Sequence, residues 1–124
     1  MAVSSRRARA SSLCDTRTMI LIVLKARIRP EKRTAWLAGI ERYTQQVRGE
    51  PGNVSFDYYQ NGGDENEFVL VEVFADSAAG DAHVATRHAQ DFFPFMSTVV
   101  AEKPRINYQN LDGDAWSEMA EVAP

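Results

Sequence analysis

The two histidines of this 124-residue chain, His83 and His88, are its first candidates for acid–base chemistry. Imidazole changes its charge near neutral pH, so His83 is the candidate general base. Its alternative role is structural, with a hydrogen bond to Glu72 or to a backbone carbonyl. A metal shared by the two rings is not expected, because five residues of helix turn two side chains roughly 140° apart and the single cysteine, Cys14, is distant in sequence. The spacing therefore predicts no metal site.

Two further polar side chains could assist such a base. Glu72 stands among apolar residues on one face of a predicted strand, where a carboxylate must be paired or hydrogen-bonded to stay ionised. It could orient His83, but an ion pair with a basic residue of a neighbouring strand is the favoured interpretation. The candidate basic residues are Lys25, Arg27 and Arg105. Asn53 follows a turn, where its amide could donate to a substrate oxygen or serve the turn itself.

Several aromatic side chains could form flat apolar walls for a planar ligand. Aromatic residues also dominate ordinary protein cores, and for each of them the core is the favoured interpretation. The candidates are Trp36, Tyr58, Phe74, Phe92, Phe93 and Phe95.

Composition excludes several classes of function. Fourteen basic against seventeen acidic residues give a net charge of −3, which offers no electrostatic reason to bind nucleic acid or an anionic membrane. The longest apolar stretch, residues 19–24, is far shorter than the roughly 20 residues of a membrane-spanning helix. None of the seven glycines forms a dinucleotide-binding or phosphate-binding loop. We therefore expect a soluble, cytoplasmic, single-domain protein without a nucleotide cofactor.

Hydrophobic periodicity predicts four strands and three helical segments. Apolar spacings of three and four predict a first helix over about 30–48, which Gly49 and the following Pro-Gly pair end. A short helix then begins at Asp76 or Ser77 and reaches about Thr86. A further helical segment carries phenylalanines around Pro94, which fits only in a first turn or at a kink. The predicted strands cover residues 19–28, 54–59, 68–74 and those after Pro104.

The order β-α-β-β-α-β predicts an α+β, ferredoxin-like fold with an antiparallel sheet. Helices cover one face of such a sheet, and the third strand is apolar on both faces. Since a chain of this length has no spare layer, we expect a second copy to cover the other face in a twofold homodimer.

Three segments together resemble the antibiotic biosynthesis monooxygenase (ABM) domain family. They are Glu50-Pro51-Gly52-Asn53-Val54-Ser55-Phe56-Asp57-Tyr58, the strand from Phe68 to Phe74, and Asp81-Ala82-His83-Val84-Ala85-Thr86-Arg87-His88. The resemblance covers about residues 19–111. It implies a dimeric α/β barrel that oxidises a small quinol-like or anthrone-like aromatic substrate with dioxygen, using neither metal nor flavin. It aligns His83 with a family histidine, and His88 with a second one, although Arg87 and Ala89 replace the residues that often flank the latter.

The implied reaction draws its electrons from the substrate. A base removes a proton, the anion passes an electron to dioxygen, and recombination followed by loss of water leaves a quinone. The protein must supply a base, a dry apolar pocket and a donor for the oxyanion. His83, Glu72 and Asn53 are the candidate catalytic residues, and His88 joins the aromatic side chains as a candidate substrate contact.

Two alternatives remain open. The segment Glu50-Pro51-Gly52-Asn53 also resembles a Glu-x-Gly-Asn segment of the branch that isomerises a phosphorylated autoinducer-2 derivative. Lys25, Arg27 and Arg105 could form the phosphate site that this reaction needs. The other alternative is a non-catalytic dimer that binds a small molecule.

The two ends differ from the domain over residues 18–111. Residues 1–17 are rich in arginine and serine with no acid before Asp15, so we expect an unstructured extension, and translation starting at Met19 is an equally simple account. The tail over 112–124 contains Trp116 and Met119, which are unusual in a free end. We expect it to pack across the partner subunit, with fraying as the alternative.

Overall fold

Four strands form one antiparallel sheet in the order β2-β3-β1-β4. The computed structural model describes residues 18–113 and 116–124, so the extension expected over residues 1–17 lies outside the described residues. The central strand β1 pairs with β3 on one side and β4 on the other, which confirms the ferredoxin-like α+β fold. The strands are β1 (Met19–Arg27), β2 (Asn53–Asn61), β3 (Asp64–Phe74) and β4 (Arg105–Leu111).

Three α-helices pack on one face of the sheet: α1 (Arg33–Arg48), α2 (Ser77–Ala85) and α3 (Arg87–Val99). A short 3-10 turn, Pro30–Lys32, leads into α1, because Pro fixes a backbone angle that suits a first turn. The apolar stripe predicted for α1 is buried, as expected from its spacing, and Gly49 ends the helix. The buried members of the stripe are Trp36, Ile40, Tyr43 and Val47.

The boundary between α2 and α3 lies at Thr86, close to the predicted end of the short helix. Thr86 has an extended backbone (φ −66°, ψ 154°), its hydroxyl donates to the carbonyl of His83, and the same oxygen accepts from the amide of Ala89. It thus ends α2 and caps α3, which starts well before the phenylalanines. Pro94 consequently lies inside α3 and not in its first turn. Because proline has no backbone N–H, it removes one hydrogen bond from the interior of this helix.

The core lies between the sheet and the helices and is rich in aromatic rings. The rings of Tyr43 and Phe92 stack with centroids 3.8 Å apart, and Trp36 meets Phe68 edge-on at 5.6 Å. Trp36 and Phe74 are completely buried, so they are core residues and not exposed ligand walls.

The opposite face of the sheet carries a row of half-buried apolar side chains. We call this the outer face; its residues are Leu21, Val23, Val69, Val71 and Val73. No helix among the described residues covers it, which is the arrangement that led to the expectation of a homodimer. None of the described helices is long and apolar enough to cross a membrane.

Candidate active site

His83 lies in the last turn of α2 and is 4% exposed. Its ring lines a cavity of about 70 Å³ between the helices and the sheet, which we call the inner cavity. The walls are mostly apolar and come from β1, β3, β4 and α3. They include Ile22, Leu24, Leu70, Phe92, Phe93 and Met96. The structure therefore places the candidate base in an apolar cavity.

One ring nitrogen of His83 is hydrogen-bonded to a carboxylate. Nδ1 lies 2.9 Å from Oε2 and 3.1 Å from Oε1 of Glu50. A carboxylate only accepts hydrogen bonds, so Nδ1 carries the proton and Nε2 is left with a free electron pair. The hydroxyl of Tyr43 lies 3.2 Å from Nε2. Burial raises the pKa of Tyr43 far above its usual range, so this hydroxyl stays protonated and donates to Nε2.

Glu72 is the second buried carboxyl group of the inner cavity. Its Oε1 lies 3.8 Å from Nε2 of His83, too far for a hydrogen bond. Burial, and to a smaller extent the charge of Glu50, raises the pKa of Glu72 to about 8. The group is therefore largely protonated at neutral pH and can donate a hydrogen bond into the cavity.

Among the described residues Glu72 forms no ion pair with Lys25, Arg27 or Arg105, so this prediction was wrong. Strand register is the reason, since Glu72 stands opposite Ile22 on the helix side while Lys25 stands opposite Val69 on the other side. Arg27 pairs instead with three other carboxylates: Asp64, Glu67 and Glu102.

The basic residues proposed for a phosphate site do gather in one place. Lys25, Arg27 and Arg105 line a small polar cavity of about 40 Å³ that shares no residue with the inner cavity. Carboxylates surround Arg27 there. These three basic residues therefore do not form a phosphate site beside His83, which the isomerase alternative would need.

His88 meets the same carboxylate as His83. Its Nε2 lies 2.6 Å from Oε2 of Glu50, whose side chain is 10% exposed. The sequence argument assumed one continuous helix, which would turn the two rings apart. The extended backbone of Thr86 breaks that helix and lets both rings point to Glu50. The described residues nevertheless contain no group of three or more His, Cys, Asp or Glu side chains that could hold a metal ion.

A close backbone contact brings Glu50 to the histidines. Glu50 follows Gly49 at the end of α1, and the turn after it packs against α2. A Cβ atom on Gly52 would lie 2.3 Å from Cβ of Ala79, so only glycine allows this approach. The turn and α2 are thereby held close enough for the bond between Glu50 and His83.

Two predicted site residues lie elsewhere. The amide of Asn53 donates to the carbonyls of Ser55 and Val73, at 2.9 and 3.3 Å, where the pairing of β2 with β3 is irregular. Its donor is thus used within the sheet. The hydroxyl of Tyr58 donates to Glu41 at 2.7 Å, and Tyr58 does not line the inner cavity.

Phe92 and Phe93 do line the inner cavity, whereas Phe95 lines a separate cleft between α1 and α3. Phe92 is buried in its wall, and Phe93 is 43% exposed at its mouth. Ile106 and Tyr108 of β4, both about half exposed, also line it. Phe74 contacts the His83 ring from within the core, at 4.7 Å between centroids.

Sequence reasoning missed Glu50 and Tyr43 as members of the site. Tyr43 belongs to the buried apolar stripe of α1, and nothing in the sequence indicated a separate role for its hydroxyl. Glu50 left a clue, because a carboxylate just past the C-terminal end of a helix is disfavoured by the helix dipole and needs compensating donors. The two imidazoles are those donors.

Comparison with known proteins identifies the family to which this chain is similar. Residues 19–94 match the family described as antibiotic biosynthesis monooxygenase. The Bacillus subtilis (strain 168) protein named "Putative monooxygenase YcnE" is 39% identical over 74 residues, which are 58% of this chain and 78% of that protein. A solved structure from Nitrosomonas europaea that carries the family's name is 25% identical, with a TM-score of 0.71 over 73% of this chain and 88% of that one. Rv0793 from Mycobacterium tuberculosis, 20% identical with a TM-score of 0.70 over 82% and 98%, shares the fold.

Proposed function

This chain belongs to the antibiotic biosynthesis monooxygenase family, and on that basis we propose that it is a cofactor-independent monooxygenase acting on a quinol-like or anthrone-like aromatic substrate with dioxygen. One observation carries the proposal. His83 holds a proton on Nδ1 against Glu50 and presents Nε2 to an apolar cavity. A buried imidazole in this state is a general base, and a neighbouring carboxylate stabilises its protonated form.

The first step is proton transfer to His83. An acidic O–H or C–H of the substrate replaces the hydroxyl of Tyr43 as the partner of Nε2, and the imidazolium that forms is held by Glu50. Tyr43 then donates its hydrogen bond to the substrate oxygen, and the protonated carboxyl of Glu72 provides a second donor. Donors already in place for the developing oxyanion lower the barrier most in a cavity that excludes water.

Dioxygen takes its electrons from the substrate anion. One electron passes to dioxygen, the resulting radical pair joins to form a peroxide, and the imidazolium of His83 returns its proton to that peroxide. Loss of water leaves a carbonyl group. One oxygen atom stays in the product, the other leaves as water, and the substrate supplies both hydrogens of that water.

The inner cavity indicates how the substrate enters. Its volume of about 70 Å³ holds only one edge of a ring system, since sites for whole ligands are typically about 300 Å³ or larger. Phe93, Ile106 and Tyr108 stand half exposed at the mouth. We expect a flat substrate to insert its reacting edge beside His83 and to rest its remaining rings on these side chains.

The proposed active form is a homodimer joined through the outer face. The half-buried valines of β3 and the adjacent apolar residues of β1 form a continuous apolar strip that a second copy would cover. Trp116 is 97% exposed in the single subunit, which favours the tail lying against the partner. Stacking two such sheets produces the dimeric α/β barrel.

Oxygen uptake tests the proposed activity. Purified protein treated with chelator is mixed with a panel of reduced quinones and anthrones, and uptake is followed beside His83→Ala and His83→Asn. Asparagine can still donate to Glu50 but cannot act as a base, so both variants should lose about a hundredfold or more of the rate. Circular dichroism checks that they fold. Uptake that never exceeds the spontaneous rate would contradict the proposal and favour a non-catalytic binder.

A further inference from the structure

We propose that His88 is a positioning residue: it holds the carboxylate of Glu50 in place, and Glu50 fixes the tautomer and orientation of His83. This inference rests on the proposed function and extends it to a residue that does not line the inner cavity. It also replaces the prediction that His88 contacts the substrate.

The location of His88 separates it from the substrate. His88 lines a different cleft of about 260 Å³ on the outer side of α1 and α3, which we call the outer cleft. The stacked rings of Tyr43 and Phe92 line both cavities and form the wall between them. A substrate in the inner cavity therefore meets His83 on one side of this wall, while His88 lies on the other.

The hydrogen bonds connect the two histidines through one carboxylate. Oε2 of Glu50 accepts from Nδ1 of His83 at 2.9 Å and from Nε2 of His88 at 2.6 Å. The shorter of the two contacts is the one to His88. Bonds of N–H donors to an ionised carboxylate are stronger than bonds between neutral groups, so His88 contributes a large part of what keeps Glu50 in place.

Glu50 needs this second donor because of its surroundings. Its side chain is 10% exposed and faces the carboxyl group of Glu72 across His83. A buried carboxylate remains ionised only when hydrogen bonds replace the lost water. The other charged groups near His88 are Arg42 of α1, which lines the same cleft, and Arg87 and Asp91 of α3, which pair with each other at 3.2 Å. Among the described residues the two imidazoles are the side-chain donors that Glu50 has.

The position of Glu50 determines which ring nitrogen of His83 carries the proton. An ionised Glu50 beside Nδ1 keeps the proton there and leaves Nε2 free as the base. Without His88, the carboxylate can rotate away, and the imidazole can then place its proton on Nε2. A base in the wrong tautomer cannot accept a proton from the substrate. The expected defect is thus in the catalytic step and not in substrate binding.

The test compares substitutions that differ in one donor. In His88→Gln the amide nitrogen takes the place of Nε2 and can still donate to Glu50, whereas His88→Phe keeps a ring without a donor. His88→Asn, whose amide is too short to reach Glu50, serves as a second non-donating variant if the phenylalanine variant does not fold. Nitrogen-15 NMR of the His83 ring, in protein without substrate, reports which nitrogen carries the proton.

We expect His83 to carry its proton on Nδ1 in the wild type and in His88→Gln, and to populate the other tautomer in His88→Phe and His88→Asn. In oxygen uptake, the two non-donating variants should lose roughly 10- to 100-fold in kcat with little change in KM, since loss of the orienting carboxylate of a base can cost up to about 10⁴-fold. His88→Gln should lose no more than about threefold in kcat.

Two results would overturn the inference. One is an unchanged His83 tautomer in both non-donating variants. The other is a rise in KM with kcat preserved, which would assign His88 to substrate binding. The NMR experiment needs no substrate, so absence of oxygen uptake by the wild type would count against the proposed function while the role of His88 is still decided by the spectra.

Discussion

At the scale of single residues, the site depends on how three buried groups share protons. Glu50 is bonded to both imidazoles, His83 keeps its proton on the side of Glu50, and Glu72 retains its own proton at neutral pH. Each state follows from burial: an ionised carboxylate requires donors, and the carboxyl group without them keeps its proton. The site thus combines a carboxylate that is hydrogen-bonded to two imidazoles with a carboxyl group that can donate a hydrogen bond to a substrate.

Glu72 makes the stability of the fold depend on pH in a defined direction. Its pKa rises from an ordinary 4.5 to about 8 in the fold. Between these values the folded protein binds a proton that the unfolded chain has released, so the free energy of unfolding decreases as pH rises through this window. Glu72→Gln removes the effect. The variant should gain stability relative to wild type between pH 5 and pH 8, by an amount on the order of 3 kcal/mol.

Urea unfolding of both proteins at several pH values measures this gain. Glu65→Gln is the matched control, because Glu65 is exposed on the same strand and its carboxylate stays in water. A difference between Glu72→Gln and wild type that does not vary with pH would contradict the protonated state of Glu72.

At the scale of elements, the site is assembled by two interruptions of regular structure. The extended Thr86 separates α2 from α3, and the turn after α1 approaches α2 through Gly52. Both features serve one purpose, since together they bring His83 and His88 to Glu50. Helices that continued through Thr86, or a turn that stood farther from Ala79, would leave that carboxylate without its donors.

Gly52→Ala should damage the site more than any other alanine substitution at a turn glycine. The new methyl group would overlap the Cβ atom of Ala79, so the turn or α2 must shift. We expect a loss of roughly 1–3 kcal/mol in the free energy of unfolding, as for other overpacked contacts. The hydrogen bond between Glu50 and His83 should weaken with it, and oxygen uptake should fall.

Gly62→Ala provides the control, because Gly62 has open space around its Cβ position. Thermal unfolding and the NMR signals of the His83 ring compare the two variants. Equal stability and unchanged ring signals in Gly52→Ala would show that the close contact does not position Glu50.

The sequence predicted the elements well and their junctions poorly. Alternating and helical spacings are local properties, so the strands and the buried stripe of α1 followed directly from them. The end of the short helix near Thr86 was predicted, but the calculation on the two histidines treated residues 83–88 as one helix and so turned them apart. The partner of Glu72 was wrongly predicted because strand register was not applied to it. His83 was recognisable from its type and its family resemblance, but Glu50 joins it across 33 residues of chain, a contact that only tertiary packing creates.

At the scale of the whole molecule, the outer face leads to a prediction about the oligomeric state. Val71 lies half-buried at the centre of β3 on that face, opposite Val23 of β1. In the proposed dimer Val71→Glu would place one charge from each subunit in the apolar contact between the two sheets. We expect this variant to be monomeric at micromolar concentration, where the wild type is a dimer.

Sedimentation velocity measures the oligomeric state of both proteins. Val84→Glu is the control, because Val84 is also a valine that is accessible in the single subunit, but it lies on α2, in the helical layer on the opposite side of the sheet. A wild-type monomer, or a dimer that tolerates Val71→Glu, would contradict sheet-to-sheet assembly.

The central claim, oxygenation by His83 without a cofactor, is tested most directly by isotope labelling. The chelator-treated protein is supplied with isotopically labelled dioxygen and a substrate from the quinol and anthrone panel, and the product is analysed by mass spectrometry. The account predicts one labelled oxygen atom per product molecule with the wild type, and formation at the spontaneous rate with His83→Asn. Product without the label, or labelling that persists at the full rate in His83→Asn, would contradict it.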